Sequence, residues 1–583
     1  MTMITVLSHN IISPLGSTTE DNFRSVLRQQ TAVRQWHGRF GPVGDFCASL
    51  FDDGSGATDG PEELSRLERL ALRSIRSALK GTDVDTASDR TLLVLRTTKG
   101  NVEWLADGIH PIERALPDSS ARMIAAALGV TTAPIVVDNA CVSGLAALTT
   151  AWRLLMMGRY DRAIVCGVEV QSKFIISGFQ SLKAVSPLPC RPFDIDRMGL
   201  NLGEAAATIV LGRGDDKEYE WKIVDGCQRS DAYHLSAPSK TGLGARMALT
   251  QAVGDYPTDD IAFISPHGTA TLFNDQMESV AIAGAGLGKV PVAGLKGYYG
   301  HTMGACGVME TALSMCAVDN GIVPSTMGFA ELGVSGRITV AANAAPTSRK
   351  GFVKMLSGFG GCNAAMLLSS NKNAADRATA DCHEDGPLQA KHNVHITEST
   401  VCIDGKVMPT HAVGRQMLTE IYKGVVGDYP RFYKMDLLSR LGFVATELLL
   451  RAEGGVRFVE RSDRAVVLVG HSGSVLADMN YLSSISDADD YFPSPERFVY
   501  TLPNIVTGEI AIRNKYHGET GFYLLADRNE VVVDDILRSA FCDRATNSVV
   551  GGWIECGSET AFEADLSIFE RKADGGGRPA ATK

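Results

Sequence analysis

The stretch Val136-Val137-Asp138-Asn139-Ala140-Cys141-Val142-Ser143-Gly144 decides how this chain is read. A β-branched run feeds a single cysteine, small residues follow it, and residues 145–157 have the apolar content of a buried helix. The pattern is a strand, a tight turn and a helix start. A cysteine at such a turn faces free N–H groups and the positive end of the helix dipole. That setting is expected to lower the thiol pKa and to offer amides to an oxyanion. Taken alone, a cysteine at a strand end reads first as an inert core residue. The sequence downstream changes that reading.

The composition sets the frame. With 583 residues, 45% apolar and 21% charged, the chain is long enough for at least two cores. Fifty-nine glycines against 22 prolines fit tight turns rather than low-complexity linkers. A formal net charge of −11 argues against nucleic acid as the main partner. None of the 12 cysteines forms a Cys-x-x-Cys pair, so neither a metal site nor a disulfide framework is indicated. Met1-Thr2-Met3-Ile4 has no basic region or long apolar run, and no apolar stretch reaches bilayer length. A cytoplasmic protein without a leader or membrane span is expected.

In chain order, residues 4–7 read as a strand and residues 18–29 as a helix capped by Thr18 or Thr19. Residues 41–60 read as an irregular Gly/Asp-rich surface loop. Residues 64–79 form an amphipathic helix, 90–95 a buried strand, 119–128 a helix, and 162–170 a strand holding Gly167. Alternation of this kind argues for a layered α/β fold. The strand at 261–265 again ends in small and polar residues, Pro266-His267-Gly268-Thr269-Ala270-Thr271, followed by Asn274-Asp275 and Glu278. Then come residues 290–293, Lys296, and Gly300-His301-Thr302-Met303-Gly304-Ala305-Cys306-Gly307 opening a helix over 308–318. The run from Gly144 to Gly158 matches the run from Gly307 to Gly321 in register, an internal repeat of one βα unit. One copy presents a cysteine at its turn and the other a histidine. Packed about a pseudo-twofold, the two turns meet at one pocket, a nucleophile beside two imidazoles. Gly284–Lys289 and Gly470–Ser474 lack the full phosphate-loop and nucleophile-elbow patterns and read as turns.

These motifs together resemble the β-ketoacyl-acyl carrier protein synthases. The resemblance rests on Asp138-Asn-Ala-Cys141-Val-Ser-Gly144, Pro266-His267-Gly-Thr269-Ala-Thr271 with Asn274-Asp275, and Lys296 with Gly300-His301-Thr-Met-Gly-Ala305. Ser357-Gly-Phe359-Gly-Gly-Cys-Asn363 and Arg191-Pro-Phe-Asp194-Ile-Asp-Arg197 with Gly203-Glu204 add to it. It spans residues 1–370, and two histidines place it with the elongating, Cys-His-His ketosynthases. It implies a thiolase-like α/β fold, five-layered α/β/α/β/α from two fused halves of about 1–215 and 216–370, in a homodimer or a heterodimer with another ketosynthase-like chain. It implies an acyltransferase that condenses an acyl thioester with malonyl-acyl carrier protein, in fatty acid or polyketide elongation. By that resemblance Cys141 carries the acyl group, and the amides of Cys141 and Phe359 form the oxyanion hole. His267 and His301 stabilise the enolate, Lys296 organises them, and Phe359 gates the site. Glu204, Asp275, Thr269 and Thr271 support the site. No cofactor or metal is bound permanently; substrates ride on the phosphopantetheine of acyl carrier protein. Ala270, Ala205 and Leu356-Ser-Gly-Phe359 depart from the family pattern, which leaves the acyl substrate open but not the reaction type.

Residues 371–393 read as a polar linker, and a second globular region follows at 394–570. Ser65-Arg-Leu through Ser88-Asp-Arg90 aligns without a gap on Ser439-Arg-Leu through Ser462-Asp-Arg464, and residues 163–167 align on 548–552. This makes 394–570 a degenerate copy of the amino-terminal half, with Ala526 opposite Cys141 and no nucleophile. Lacking its second half, it is expected to expose an apolar face that docks on the synthase or on a partner. Residues 571–583 read as a disordered tail. Two further readings are a non-catalytic partner of the chain-length-factor type, which usually lacks the cysteine, and a degradative thiolase, whose second cysteine is replaced here by Gly-Phe359-Gly-Gly.

Overall fold

The computed structural model describes residues 3–52, 63–214, 221–372, 388–487, 489 and 491–571. Three times along the chain the same principal elements recur in one order. The first set is β1 (Ile4–Ile12), α1 (Arg66–Leu79), β2 (Thr91–Arg96), α2 (Pro117–Leu128), β3 (Ile135–Val137), α3 (Ser143–Met156), β4 (Arg162–Glu169) and β5 (Ala205–Arg213). The second is β6 (Lys222–Ser230), α4 (Leu243–Val253), β7 (Ile261–Ser265), α5 (Leu272–Gly284), β8 (Pro291–Val292), α6 (Cys306–Asp319), β9 (Gly351–Gly358) and β10 (Cys362–Ser369). The third is β11 (Ala390–Thr397), α7 (Leu437–Glu453), β12 (Arg464–Gly470), α8 (Ile505–Asn514), β13 (Thr520–Leu524), α9 (Glu530–Ser539), β14 (Ser548–Ser558) and β15 (Ala561–Glu570).

Each set builds the same five-stranded sheet. In the first, β2 lies parallel between β3 and β4, β5 runs antiparallel to β4, and β1 antiparallel to β5. The second and third repeat this in β8-β7-β9-β10-β6 and β13-β12-β14-β15-β11. Helix placement follows composition. α1 is capped by Ser65, whose hydroxyl accepts from the Glu68 amide while the Glu68 carboxylate accepts from the Ser65 amide, and it buries Leu67, Leu70 and Ile75 while exposing Arg73 and Arg76. It belongs to an outer layer. α3 and α6 are apolar all round and buried almost end to end, packed between the first two sheets as a middle layer. With α4 and α5 on the far face, the first two sets make five layers, α/β/α/β/α, the thiolase-like fold.

The repeat register read from the glycines is the register of the structure. Ala140 and Met303 take the same left-handed backbone, φ +48° and +46°. Each opens a 3-10 turn, Ala140–Val142 and Met303–Ala305, and each helix ends before a left-handed glycine, Gly158 or Gly321. A β-carbon is strained in that backbone region, so the turns before α3 and α6 hold Ala140 and Met303 only because the packing over-determines them.

The third sheet continues the first edge to edge. β13 pairs antiparallel with β3, Tyr523 opposite Val137 and Leu524 opposite Val136, and the Asp138 amide donates to Phe522 O at 2.8 Å. Beside this seam lie the ion pairs Arg153–Glu519 at 2.7 Å, Arg229–Asp543 at 2.5 Å and Lys99–Asp478 at 2.7 Å.

Four expectations need correction. Residues 41–60 are not all irregular: Phe46–Ser49 is a strand between Arg34–Trp36 and Leu202–Gly203, and residues 53–60 lie outside the described ones. The strand opening the third set begins at Ala390 rather than 394; most of the linker, residues 373–387, and the tail, residues 572–583, lie outside the described residues. The gapless match to the third set is one residue out of register at its strands. The Asp161 amide bonds Arg90 O and the Asn547 amide bonds Asp463 O, so Asp463, not Arg464, matches Arg90. Leu95 pairs with Val136 and its match Leu468 pairs with Phe522, so the position matching Cys141 is Asp527 rather than Ala526, and neither is a cysteine. Finally, no uncovered apolar face of the third set is found among the described residues. α9 lies against α3 and exposes only Glu530 and Val531, with Asp535 paired to Arg159 and Arg538 to Asp534. The expected docking on the synthase is present, through the β13–β3 edge and through the apolar side of α9 packed on α3.

Candidate active site

Cys141 sits in the 3-10 turn between β3 and α3, and His267 follows β7. His301 follows β8 and precedes α6. The pseudo-symmetric packing brings all three together. The Cys141 sulfur and one ring nitrogen from each histidine lie within 4.8 Å of one another. The two imidazoles meet edge to face, centroids 5.0 Å apart. Lys296 lies behind them, 1% exposed.

Backbone contacts fix each turn. Arg96, fully buried, donates to Ala140 O at 2.9 Å and pairs with Asp138 at 3.4 Å. The Asn139 amide donates to Ser143 Oγ at 2.5 Å. Glu278 accepts from the amides of His267 at 2.6 Å and Gly268 at 2.7 Å. Asp275 accepts from Ala270 and Phe193, and burial pushes its carboxyl up to about 6. Thr269 and Thr271 hydrogen-bond each other at 2.9 Å. Glu204 accepts both Arg66 guanidinium nitrogens and the amides of Phe51 and Gln171. Its link to the site is through its neighbour Gly203, whose amide donates to His301 O at 3.0 Å.

The electrostatics separate the groups. Burial, reinforced by the Lys296 charge, holds both imidazoles well below the ordinary histidine pKa. Both are neutral at pH 7. His301 Nδ1 accepts from the Met303 amide at 3.3 Å, which assigns the proton to Nε2, a buried nitrogen with no protein partner. His301 therefore presents a ready N–H donor. The Cys141 thiol is not lowered as the helix start suggests: burial pushes it up to about 11, against the Lys296 and Arg96 charges.

Two residues passed over in the sequence complete the cluster. Lys296 Nζ donates to Glu310 at 2.8 Å, and the other Glu310 oxygen takes Lys354 Nζ at 2.5 Å. Lys354 also donates to Ser265 O at 3.2 Å and Pro266 O at 2.8 Å, the backbone just before His267. A lysine inside the apolar strand at 351–358 and a glutamate inside an apolar helix were the signals for this buried triad.

Phe359 caps the site. Gly358 packs so tightly that a β-carbon there would lie 3.2 Å from the Cys141 amide nitrogen, which places the Phe359 segment over the cysteine turn. The cavity beside Cys141 is lined by Ile175, Phe179 and Phe359 from one side and by Phe498, Thr501 and Leu502 of the third set from the other.

A cysteine and a histidine, presented by the two halves of one repeat over a common pocket, define a thiolase-fold acyltransferase site. Residues 3–217 match the family description "Beta-ketoacyl synthase, N-terminal domain" and residues 222–330 "Beta-ketoacyl synthase, C-terminal domain". The chain is 30% identical over 301 residues to the tetracenomycin polyketide synthase ketoacyl synthase alpha subunit of Streptomyces glaucescens, covering 48% of this chain and 70% of that one. It is 27% identical over 339 residues to 3-oxoacyl-[acyl-carrier-protein] synthase 2 of Mycobacterium tuberculosis, covering 52% and 80%. Among solved structures, one titled "PfaC Keto synthase-Chain length factor" covers 98% of this chain and 78% of its own at a TM-score of 0.77 and 15% identity, a likeness of fold. The chain belongs to the β-ketoacyl synthase family and is an acyltransferase of the 3-oxoacyl-[acyl-carrier-protein] synthase type. Among the described residues no helix is long and apolar enough to cross a membrane.

Proposed function

We propose that Cys141, His267 and His301 carry out a decarboxylative condensation between an acyl group held on Cys141 and malonyl-acyl carrier protein. The observation that carries the reading is the sulfur and two imidazole nitrogens within 4.8 Å of one another in a buried site. In the first half-reaction the Cys141 sulfur attacks the acyl thioester of the carrier's phosphopantetheine arm. The thiol proton passes through His267, the ring left to accept it, to the departing phosphopantetheine sulfur. The amides of Cys141 and Phe359 hold the oxyanion. In the second, malonyl-carrier protein loses CO2. The Nε2–H of His301, with His267, stabilises the enolate oxygen, and the enolate carbon attacks the Cys141 thioester. The 3-oxoacyl chain leaves on the carrier, and the Cys141 thiolate takes a proton from solvent by way of His267, the one proton that the condensation consumes.

Lys296, Glu310 and Lys354 act by charge and position. Burial keeps both imidazoles neutral and the cations of Lys296 and Lys354 reinforce it, the state in which His301 donates without carrying charge. Glu204 and Asp275 hold the surrounding loops. The scheme uses this chain's own side chains and amides together with the carrier's phosphopantetheine arm. The third set of elements, residues 390–571, serves as a built-in silent partner. It occupies the open edge of β3 and supplies Phe498, Thr501 and Leu502 to the cavity wall, so it bears on acyl length rather than on bond making. In this reading a separate partner on that edge is not required, and acyl carrier protein is the partner in turnover. The test is acyl transfer from a panel of acyl-carrier proteins followed by malonyl-carrier protein. The wild type loads one acyl group and releases a 3-oxoacyl product, and Cys141→Ser does neither.

A further inference from the structure

Asn504 precedes helix α8 in the third set and occupies its N-cap position, yet its side chain makes no capping bond. Asparagine is among the best N-cap residues because its oxygen accepts an early helix amide. Here Oδ1 is buried without a partner, in a residue 1% exposed. The other end of the amide is committed elsewhere: Nδ2 donates to the carbonyl oxygen of Phe359 at 2.8 Å. Two glycines make the approach possible. A β-carbon on Gly360 would meet Asn504 Nδ2 at 2.7 Å, and one on Gly508, inside α8, would meet Gly360 O at 2.8 Å. Glycine inside a helix is unfavourable, and an orphaned buried oxygen is too. Two departures from good helix chemistry thus converge on one peptide group of another unit. That peptide, Phe359–Gly360, is held on its far side as well, because the Gly360 amide donates to Leu235 O at 2.6 Å.

We propose that Asn504 is a positioning residue, a latch by which the carboxyl-terminal unit fixes the Phe359–Gly360 peptide over the Cys141 turn. The proposal rests on the reading of Phe359 as gate and oxyanion donor. Its carbonyl end is gripped by Asn504, so the orientation of its amide and ring depends on a residue nearly 150 positions away, in a unit without a nucleophile. Moving Phe359 requires that bond to break. The silent unit therefore controls order at the reacting centre, and not only the cavity wall.

The test uses the full chain with Asn504→Ser, a residue as well suited to a helix start as asparagine but too short to reach Phe359 O. Hydrogen exchange at residues 359–361 is expected to rise about tenfold, as loss of one well-placed hydrogen bond allows. The turnover number for acyl transfer to Cys141 is expected to fall about tenfold, with KM for acyl-carrier protein within about twofold of wild type. Unchanged melting temperature and unchanged exchange in α8 and β13 complete the expected result. Exchange at 359–361 equal to wild type overturns the latch. So does a general rise across α8 and β13 with a lower melting temperature, which would make Asn504 an interface residue only. A wild-type chain that takes no acyl group overturns the function proposed above, and the exchange comparison still decides the latch.

Discussion

Gly144 of α3 and Gly307 of α6, equivalent residues of the two halves, touch backbone to backbone. A β-carbon on Gly144 would lie 2.9 Å from Gly307 Cα, and one on Gly307 would lie 2.4 Å from the Leu145 amide nitrogen. The pseudo-twofold of the synthase runs between them, and it is this contact that lets the cysteine turn and the His301 turn meet. Gly144→Ala and Gly307→Ala are each expected to destabilise the chain by about 1–3 kcal/mol through overpacking. Denaturant unfolding measures the loss; midpoints equal to wild type would mean that the helices part without cost.

The histidine pair should be separable from the nucleophile. His301→Ala and His267→Ala are expected to retain measurable self-acylation while condensation with malonyl-carrier protein falls roughly 100-fold or more. Normal condensation in both variants would make the imidazoles structural.

Burial raises the Cys141 thiol to about 11, so the thiolate fraction near neutral pH should grow about tenfold per pH unit. Alkylation of Cys141 by iodoacetamide, followed by peptide mass spectrometry from pH 6 to 9, should climb without a plateau. A plateau near pH 7 would restore the lowered thiol that the helix start suggests.

His471, after β12, faces Asp118 of α2 at 3.2 Å across the seam. The Asp118 carboxylate raises the histidine's pKa from 6.5, more than burial lowers it. A raised pKa in the folded state means that this contribution is complete below about 6.5, the unfolded value, and fades as pH rises through the folded one. The melting temperature of the wild type should therefore drop more between pH 6 and pH 8 than that of Asp118→Asn. Parallel pH profiles would show the pair to be uncoupled from folding.

Much of this architecture was legible in the residues, and the reasons are physical. Glycine spacing from Gly144 to Gly158 and from Gly307 to Gly321 gave the repeat because those backbones tolerate little else. The motif residues Cys141, His267 and His301 lie together as their turns suggested. Three things were not legible. Helix position suggested a lowered thiol, but desolvation outweighs it in a closed site. Glu310 and Lys354 meet only through the packing of α6 against β9, since one lies in a helix and the other in a strand 44 residues away. The third set of elements was read as missing its cover, whereas its sheet is satisfied edge to edge by β3, a contact that depends on backbone rather than on side-chain pattern.

That contact also sets the outcome of truncation. Removing residues after Asn371 uncovers the β3 edge, Asn139, whose side-chain amide donates to Thr520 O at 2.8 Å, and the cavity wall of Phe498 and Leu502. The shortened chain is expected to aggregate or to pair through β3. A truncated chain that stays monomeric and folded, as measured by light scattering and circular dichroism, would contradict the role given to the seam.

The central claim is that Cys141 carries the acyl chain between two half-reactions. Its most direct measurement is intact-mass and peptide-level mass spectrometry of the wild-type chain after acyl-carrier protein, then after malonyl-carrier protein. The account predicts one acyl group on the peptide containing Cys141, none on Cys306 one position before Gly307, and its discharge as a 3-oxoacyl-carrier product with release of CO2. An acyl group on another cysteine, or a product formed by Cys141→Ala at the wild-type rate, would contradict it.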